Sequence, residues 1–220
     1  MMKPAYDAAK QIAQVRISLD HVTPKVIRVL AVPFDTRLDD LHLAFQAAMG
    51  WSNSHLYLFD ARGALWGPPD PDLASDDVAP ASSATLAGMI VETGRRNFKY
   101  IYDLGDEWRC TVKVQTLSAA APYVSYPLLL SASGRTPPEN IGGPLGYEDY
   151  LMALCDPSHE RRSTYHESYG LDFDPAVIDI AQIDHAMTRL TRKPSRRARR
   201  KRAAPPAKVR NAKSPKARKT

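Results

Sequence analysis

The stretch Tyr100-Ile-Tyr-Asp-Leu-Gly-Asp-Glu-Trp108 places three carboxylates, Asp103, Asp106 and Glu107, around one glycine and between aromatic residues. Two chemistries are open to such a set. Brought together by a turn, Asp103 and Asp106 could meet Glu139 or His55 and hold a divalent cation through oxygen ligands. They could instead serve as a general acid/base pair. On that reading the protein is a metal-dependent hydrolase or nuclease, with Asp103, Asp106 and Glu139 as ligands and His55 as base. The plainer reading is that aspartates at a hairpin end accept hydrogen bonds from turn amides and keep the tip soluble. Three carboxylates this close repel one another, so burial would demand a cation or an arginine, and exposure would remove that demand.

The remaining candidates are weaker. His42, His55, His159 and His166 form no His-x-x-x-His and no Cys/His pair of zinc spacing. Each reads as structural, His55 least so, because it opens a strand after Gly50-Trp-Ser-Asn-Ser54. The Gly142-Gly143 pair in "PPENIGGPLGYEDY" precedes a helix, and helix N-termini attract anions. That segment lacks the Lys-Ser/Thr of a P-loop and the G-x-G-x-x-G spacing, and Glu148 and Asp149 compete for the same positive potential. A tight, proline-fixed corner is expected there. No G-x-S-x-G elbow and no Ser/His/Asp or Cys/His set is present. Trp51, Trp66 and Trp108 are expected to pack in the core or line a groove. Cys110 and Cys155 make neither a disulfide framework nor a metal pair, and both are expected as buried thiols. Asp103, Asp106, Glu139 and His55 are thus the only catalytic candidates. No cofactor is predicted, a divalent cation being the one these carboxylates could take.

Charge is more informative. Residues 1–188 carry 15 Lys/Arg against 24 Asp/Glu, a net charge of −9, whereas residues 189–220 carry 15 Lys/Arg and no acid. An acidic body and a polybasic tail need separate explanations. The tail alternates Lys/Arg with Ala, Pro and Ser, cannot bury apolar area, and is expected to be disordered in isolation. Arg192, Lys193, Arg196, Arg197, Arg199, Arg200, Lys201, Arg202, Lys208, Arg210, Lys213, Lys216, Arg218 and Lys219 would neutralise phosphates, giving sequence-independent, salt-sensitive attachment to DNA or RNA. Without interleaved aromatics, base stacking is not expected. The competing reading is a tail that solubilises, or folds back on the acidic body; charge density favours nucleic acid. No apolar run approaches the roughly 18 residues of a membrane span, and "MMKPAYDAAKQIAQ" lacks a signal-peptide core. A cytoplasmic protein is expected, whose acidic body faces another protein rather than phosphate or membrane.

The elements that must position these groups follow from periodicity. Residues 13–20 alternate as a half-buried strand, and residues 25–32, apolar on both faces, read as a central strand antiparallel to it. Thr36 and Asp39 resemble a capping box opening a helix with Leu38, Leu41, Phe45, Ala48 and Met49 on one stripe and Gly50 closing it. A strand follows over 55–60, then a long surface loop over 61–84, then a short helix from Leu86 capped by Thr85 and closed by Gly94. Period-two patterns on both sides of Asp103-Leu-Gly-Asp106 mark a hairpin, with Gly105 expected to supply the positive φ. Residues 121–146 read as irregular. Helices are expected over 147–156 and about 159–170, and from Asp174 and Pro175 through an Ile180, Ile183, Met187, Leu190 stripe. The class is therefore α+β: a single domain with a mainly antiparallel sheet, one helix between strands and a helical C-terminal part. Its expected bounds are an N-terminal extension over 1–11, the domain over 12–190 and the tail over 191–220.

The segments "MGWSNSHLYLF", "WGPPDPD", "YIYDLGDEWRCTVKV" and "PPENIGGPLGYEDYLMALCDPSH", followed by "LDFDPAVIDI", together resemble the plasmid pRiA4b ORF-3-like proteins. The resemblance spans roughly residues 12–190, in the family's order, and excludes the tail. It implies an α+β domain of bacterial origin and no particular reaction. Bacterial members are often labelled transposon passenger or TnpR-like, which implies a mobile-element setting. The resolvase label does not carry over, since a serine recombinase needs a nucleophilic serine beside an arginine cluster and this body has scattered arginines. Family members commonly have cysteines around the "PPE…GG" segment, where this chain has Thr136 and Ile141, so any metal or redox chemistry of those cysteines is lost here. The expectation is a binding or accessory protein attached to nucleic acid through its tail. Two alternatives remain open: the metal-dependent enzyme above, and a protein-interaction domain whose tail only solubilises.

Overall fold

The computed structural model describes residues 11–70 and 77–192 of the 220-residue chain. Alternation along Gln11–Leu19 (β1) buries Val15, Ile17 and Leu19. Ile27–Pro33 (β2) pairs antiparallel with it, from Ile12 opposite Pro33 to Ser18 opposite Ile27. Leu38–Met49 (α1) follows and buries Leu38, Leu41, Phe45 and Met49. Tyr57–Ala61 (β3), Ala64–Gly67 (β4) and Val78–Pro80 (β5) come next, the last running into a 3-10 turn at Ala81–Ser83. Leu86–Thr93 (α2) leads to the hairpin of Asn97–Tyr102 (β6) and Trp108–Ala119 (β7), then Leu128–Ser133 (β8). Gly143–Cys155 (α3), Arg162–Tyr169 (α4) and Ile180–Arg192 (α5) complete the described chain.

All eight strands form one sheet in the order β5-β4-β3-β6-β7-β1-β2-β8. Every pairing is antiparallel except β4 with β5. Consecutive strands joined by hairpins, with helices gathered on a mostly antiparallel sheet, define an α+β domain. Among the described residues no helix is long and apolar enough to cross a membrane.

Several local features differ from the expectation. The N-cap of α1 is Arg37, not Thr36, and no side chain caps it; Arg37 instead pairs with Asp39 at 2.5 Å. Thr36 gives its carbonyl to the amide of Leu86, and Leu38 donates to the Ala84 carbonyl, so the starts of α1 and α2 are stitched together by backbone. The expected loop over 61–84 contains β4 and β5. A turn with positive φ at both Arg62 and Gly63 makes β3 and β4 a hairpin, the backbone that matches strand twist. The 121–146 segment contains β8, and α3 begins four residues before the expected Tyr147, with Pro144 just inside its start. The helix placed near 159 begins at Arg162. Asp174 and Pro175 open only a turn; Asp179 instead accepts from the amide of Gln182 and starts α5. That last helix reaches Arg192, just inside the segment expected as tail, whose residues from Lys193 onward lie outside the described residues. Cys110 is buried as expected, but Cys155 is exposed. Thr85 and Gly94 cap α2 as the sequence indicates.

One buried cation anchors the sheet. Arg28 of β2 is 1% exposed and has no carboxylate partner among the described residues. Its guanidinium donates to the carbonyls of Ala48, Ile27, Ser133 and Gly134 and to Thr136 Oγ1, at 2.8–3.0 Å. It therefore ties the last turn of α1 to the end of β8. Burial pulls its pKa down to about 10, which leaves it charged at neutral pH.

Candidate functional site

The loop between α1 and β3, Trp51 to His55, is where the chemistry-bearing residues of four segments meet. Three consecutive amides of this loop are each taken by a different side chain. Ser52 N donates to Glu139 Oε2 at 2.8 Å, Asn53 N to Gln46 Oε1 at 3.0 Å, and Ser54 N to the Tyr102 hydroxyl at 3.1 Å. Such a loop would otherwise leave backbone donors unpaired against the domain.

The backbone donor at Asn53 fixes the proton direction of a buried ring of hydrogen bonds. Because it faces Gln46 Oε1, Gln46 Nε2 must donate to the Tyr100 hydroxyl, 2.8 Å away. Tyr100 then donates to His42 Nδ1 at 2.8 Å, and His42 Nε2 donates to Asn53 Oδ1 at 2.5 Å. His42 is therefore neutral, with its proton on Nε2. Burial, opposed by the Asn53 hydrogen bond, lowers its pKa to about 4, and the ring stacks on Tyr57 at 3.6 Å. Burial pushes the Tyr100 phenol well above its ordinary value, so it stays protonated to donate.

Tyr102 governs the outer side. Its hydroxyl donates to Glu139 Oε1 at 2.6 Å, and burial followed by that hydrogen bond raises its pKa. Trp51 stacks on its ring at 4.8 Å, and His55 meets it edge-on at 5.8 Å. His55 Nδ1 lies 3.5 Å from Asp103 Oδ2. The indole nitrogens of Trp51 and Trp108 and Nε2 of His55 are buried with no hydrogen-bond partner among the described residues.

The carboxylates singled out by sequence separate. Asp103 is buried, and its Oδ1 accepts from the amides of Gly105 at 3.0 Å and Asp106 at 3.3 Å, an Asx turn. The positive φ of the hairpin sits at Asp103 and Glu107 and not at Gly105, because the Asx turn bends the chain there. Asp106 Oδ2 accepts from the Gly142 amide at 3.1 Å, so the anion at the start of α3 is the hairpin's own carboxylate. Gly143 is required at this contact: a Cβ there would lie 2.3 Å from the Asp106 carbonyl oxygen. Glu107 pairs with Arg109 at the surface. Asp103 and His55 are thus brought together, and Glu139 joins the same loop through Tyr102. Asp106 is spent on α3. Among the described residues no group of three His, Cys, Asp or Glu could hold a metal ion. Of the other histidines, His159 stands 3.4 Å from Asp149, which also receives Arg161 and the Tyr165 hydroxyl.

His42 was expected as structural and is so, whereas the polar roles of Gln46, Tyr100 and Tyr102 escaped the sequence reading. Their signal was present: polar residues four apart on an apolar helix face, and tyrosines two apart on the inward face of a strand.

Fold and site together define a single α+β domain whose aromatic and polar interior holds the loop from Trp51 to His55 in place. The chain belongs to the plasmid pRiA4b ORF-3-like protein family, whose model matches residues 11–182. It is 41% identical over 191 residues to the uncharacterized protein y4hQ of Sinorhizobium fredii, covering 86% of this chain and 97% of that one. Its fold matches the crystal structure of MM3350, a protein of unknown function from Methanosarcina mazei, with a TM-score of 0.68 and 28% identity over 77% of this chain and 96% of the other.

Proposed function

We propose that this protein is a binding or accessory module that attaches to nucleic acid without sequence preference through its basic C-terminal segment, while the domain presents its acidic surface to a protein partner. The observation that carries the reading is the segregation of charge: −9 over residues 1–188, against 15 Lys/Arg and no acid over residues 189–220. Such density neutralises phosphates regardless of base identity. The domain supports a binding role because its buried hydrogen-bonding groups hold a loop, and Asp106 and Glu139 are committed to protein donors. That same commitment disfavours the metal-dependent hydrolase. A mobile-element setting would suit an accessory protein carried on DNA.

The test is fluorescence anisotropy with labelled duplex DNA across a salt series, comparing the full chain with a full-length variant in which Arg196, Arg197, Arg199 and Arg200 are changed to Gln. If those four groups each contact a phosphate, the slope of log affinity against log salt falls by about 3 to 4 units. Equal affinity and equal slope for the two proteins would remove the proposal.

A further inference from the structure

The sheet ends at β8, which pairs with β2 and with no other described strand. Natural proteins blunt such edges with charge, proline or very short strands, because unpaired amides and carbonyls invite another strand. At the opposite edge β5 is three residues long and ends in Pro80. Edge β8 is six residues long and holds no proline or charged residue within it, although Pro127 immediately precedes it and its ladder is bulged. Residues 114–134, which contain all of it, include no Asp, Glu, Lys, Arg or His and form the longest uncharged run in the chain. The strand leaves apolar side chains partly exposed: Leu128 is 39% and Leu130 49% exposed, and Val124 in the preceding turn is 42% exposed. The register with β2 slips at Leu130, the extra residue between Leu129 and Ser131.

We infer that β8 is the pairing edge for a second copy of this chain, giving a two-fold dimer with antiparallel β8 strands and one continuous sheet. Charge selects this occupant. Across a two-fold axis each residue near the axis faces its own copy, so any charged edge would oppose itself. Two bodies of net −9 repel wherever charge is exposed, and this uncharged edge is where they can approach. The chain's own basic segment is a poor occupant, because Pro194, Pro205, Pro206 and Pro215 each remove a ladder donor.

Sedimentation equilibrium of the full-length, nuclease-treated protein tests this, at low and at about 0.5 M salt. The expected result is a dimer that persists in high salt, since backbone pairing and leucine burial are little screened. Leu130→Lys and, separately, Leu128→Lys should raise the dimer dissociation constant by about tenfold or more through like charges facing across the axis, with circular dichroism unchanged because both leucines are already partly exposed, and with any fall in melting temperature confined to the concentration-dependent part that dimerisation contributes. A wild-type monomer at both salts, a dimer that dissolves in high salt, or a dimer indifferent to both lysines would each overturn the inference.

Discussion

At the residue scale, the ring of His42, Tyr100, Gln46 and Asn53 makes stability depend on pH in a defined direction. Folded, His42 stays neutral down to about pH 4; unfolded, it takes a proton near pH 6.5. The stability gained by keeping it neutral is whole above about pH 6.5 and is lost as pH falls toward 4, because the unfolded chain binds the proton first. The loss reaches about 3 kcal/mol at the lower end. Urea unfolding at about pH 7 and about pH 4.5 should show this fall, and His42→Gln should flatten it while lowering stability at neutral pH by about 1–3 kcal/mol. An unchanged pH dependence in that variant would assign the effect to other groups.

At the scale of elements, the hairpin and α3 are joined where Asp106 meets Gly142 and Gly143. Two neighbouring substitutions separate conformational strain from collision. At Gly142 a Cβ would meet nothing closer than 3.6 Å, so Gly142→Ala should cost only the left-handed backbone, about 1–2 kcal/mol. At Gly143 the same methyl would meet the Asp106 carbonyl at 2.3 Å, so Gly143→Ala should cost that plus displacement of the hairpin, about 3 kcal/mol or more. Melting temperatures should therefore fall by clearly different amounts, and equal falls would refute the close approach. The hairpin itself was legible because Phe98, Tyr100, Tyr102 and then Trp108, Cys110, Val112 alternate cleanly. The Asx turn was legible too, as the plainer reading of those aspartates; what was hidden is that Asp103, adopting positive φ, does the work that glycine is usually given. β4 and β8 were hidden for a different reason: short strands amid Gly and Pro owe their existence to pairing with β3 and β2, which no local pattern records. The site was half legible, since His55, Asp103 and Glu139 do converge on one loop, whereas their bonds to Tyr102 and to backbone depend on contacts between distant segments.

At the scale of the whole molecule, the buried apolar core runs from Ile12 to Met187, wholly within the matched family region and α5. Ending the chain after Arg192 should therefore leave the melting temperature within about 2 °C of the full chain, a shift corresponding to less than about 1 kcal/mol. A larger fall would mean that the basic segment packs on the domain. The division of charge was readable from sequence, because counting needs no fold. The cation at the far end of the sheet was not, because Arg28 looks like any polar residue in a strand. Yet it also sets the pitch of the sheet. Sliding β8 by one residue past β2 would carry the carbonyls of Ser133 and Gly134 away from the guanidinium and leave that buried charge short of acceptors. Arg28 thus acts as a key cut for one register, admitting the last strand only in the alignment that solvates it.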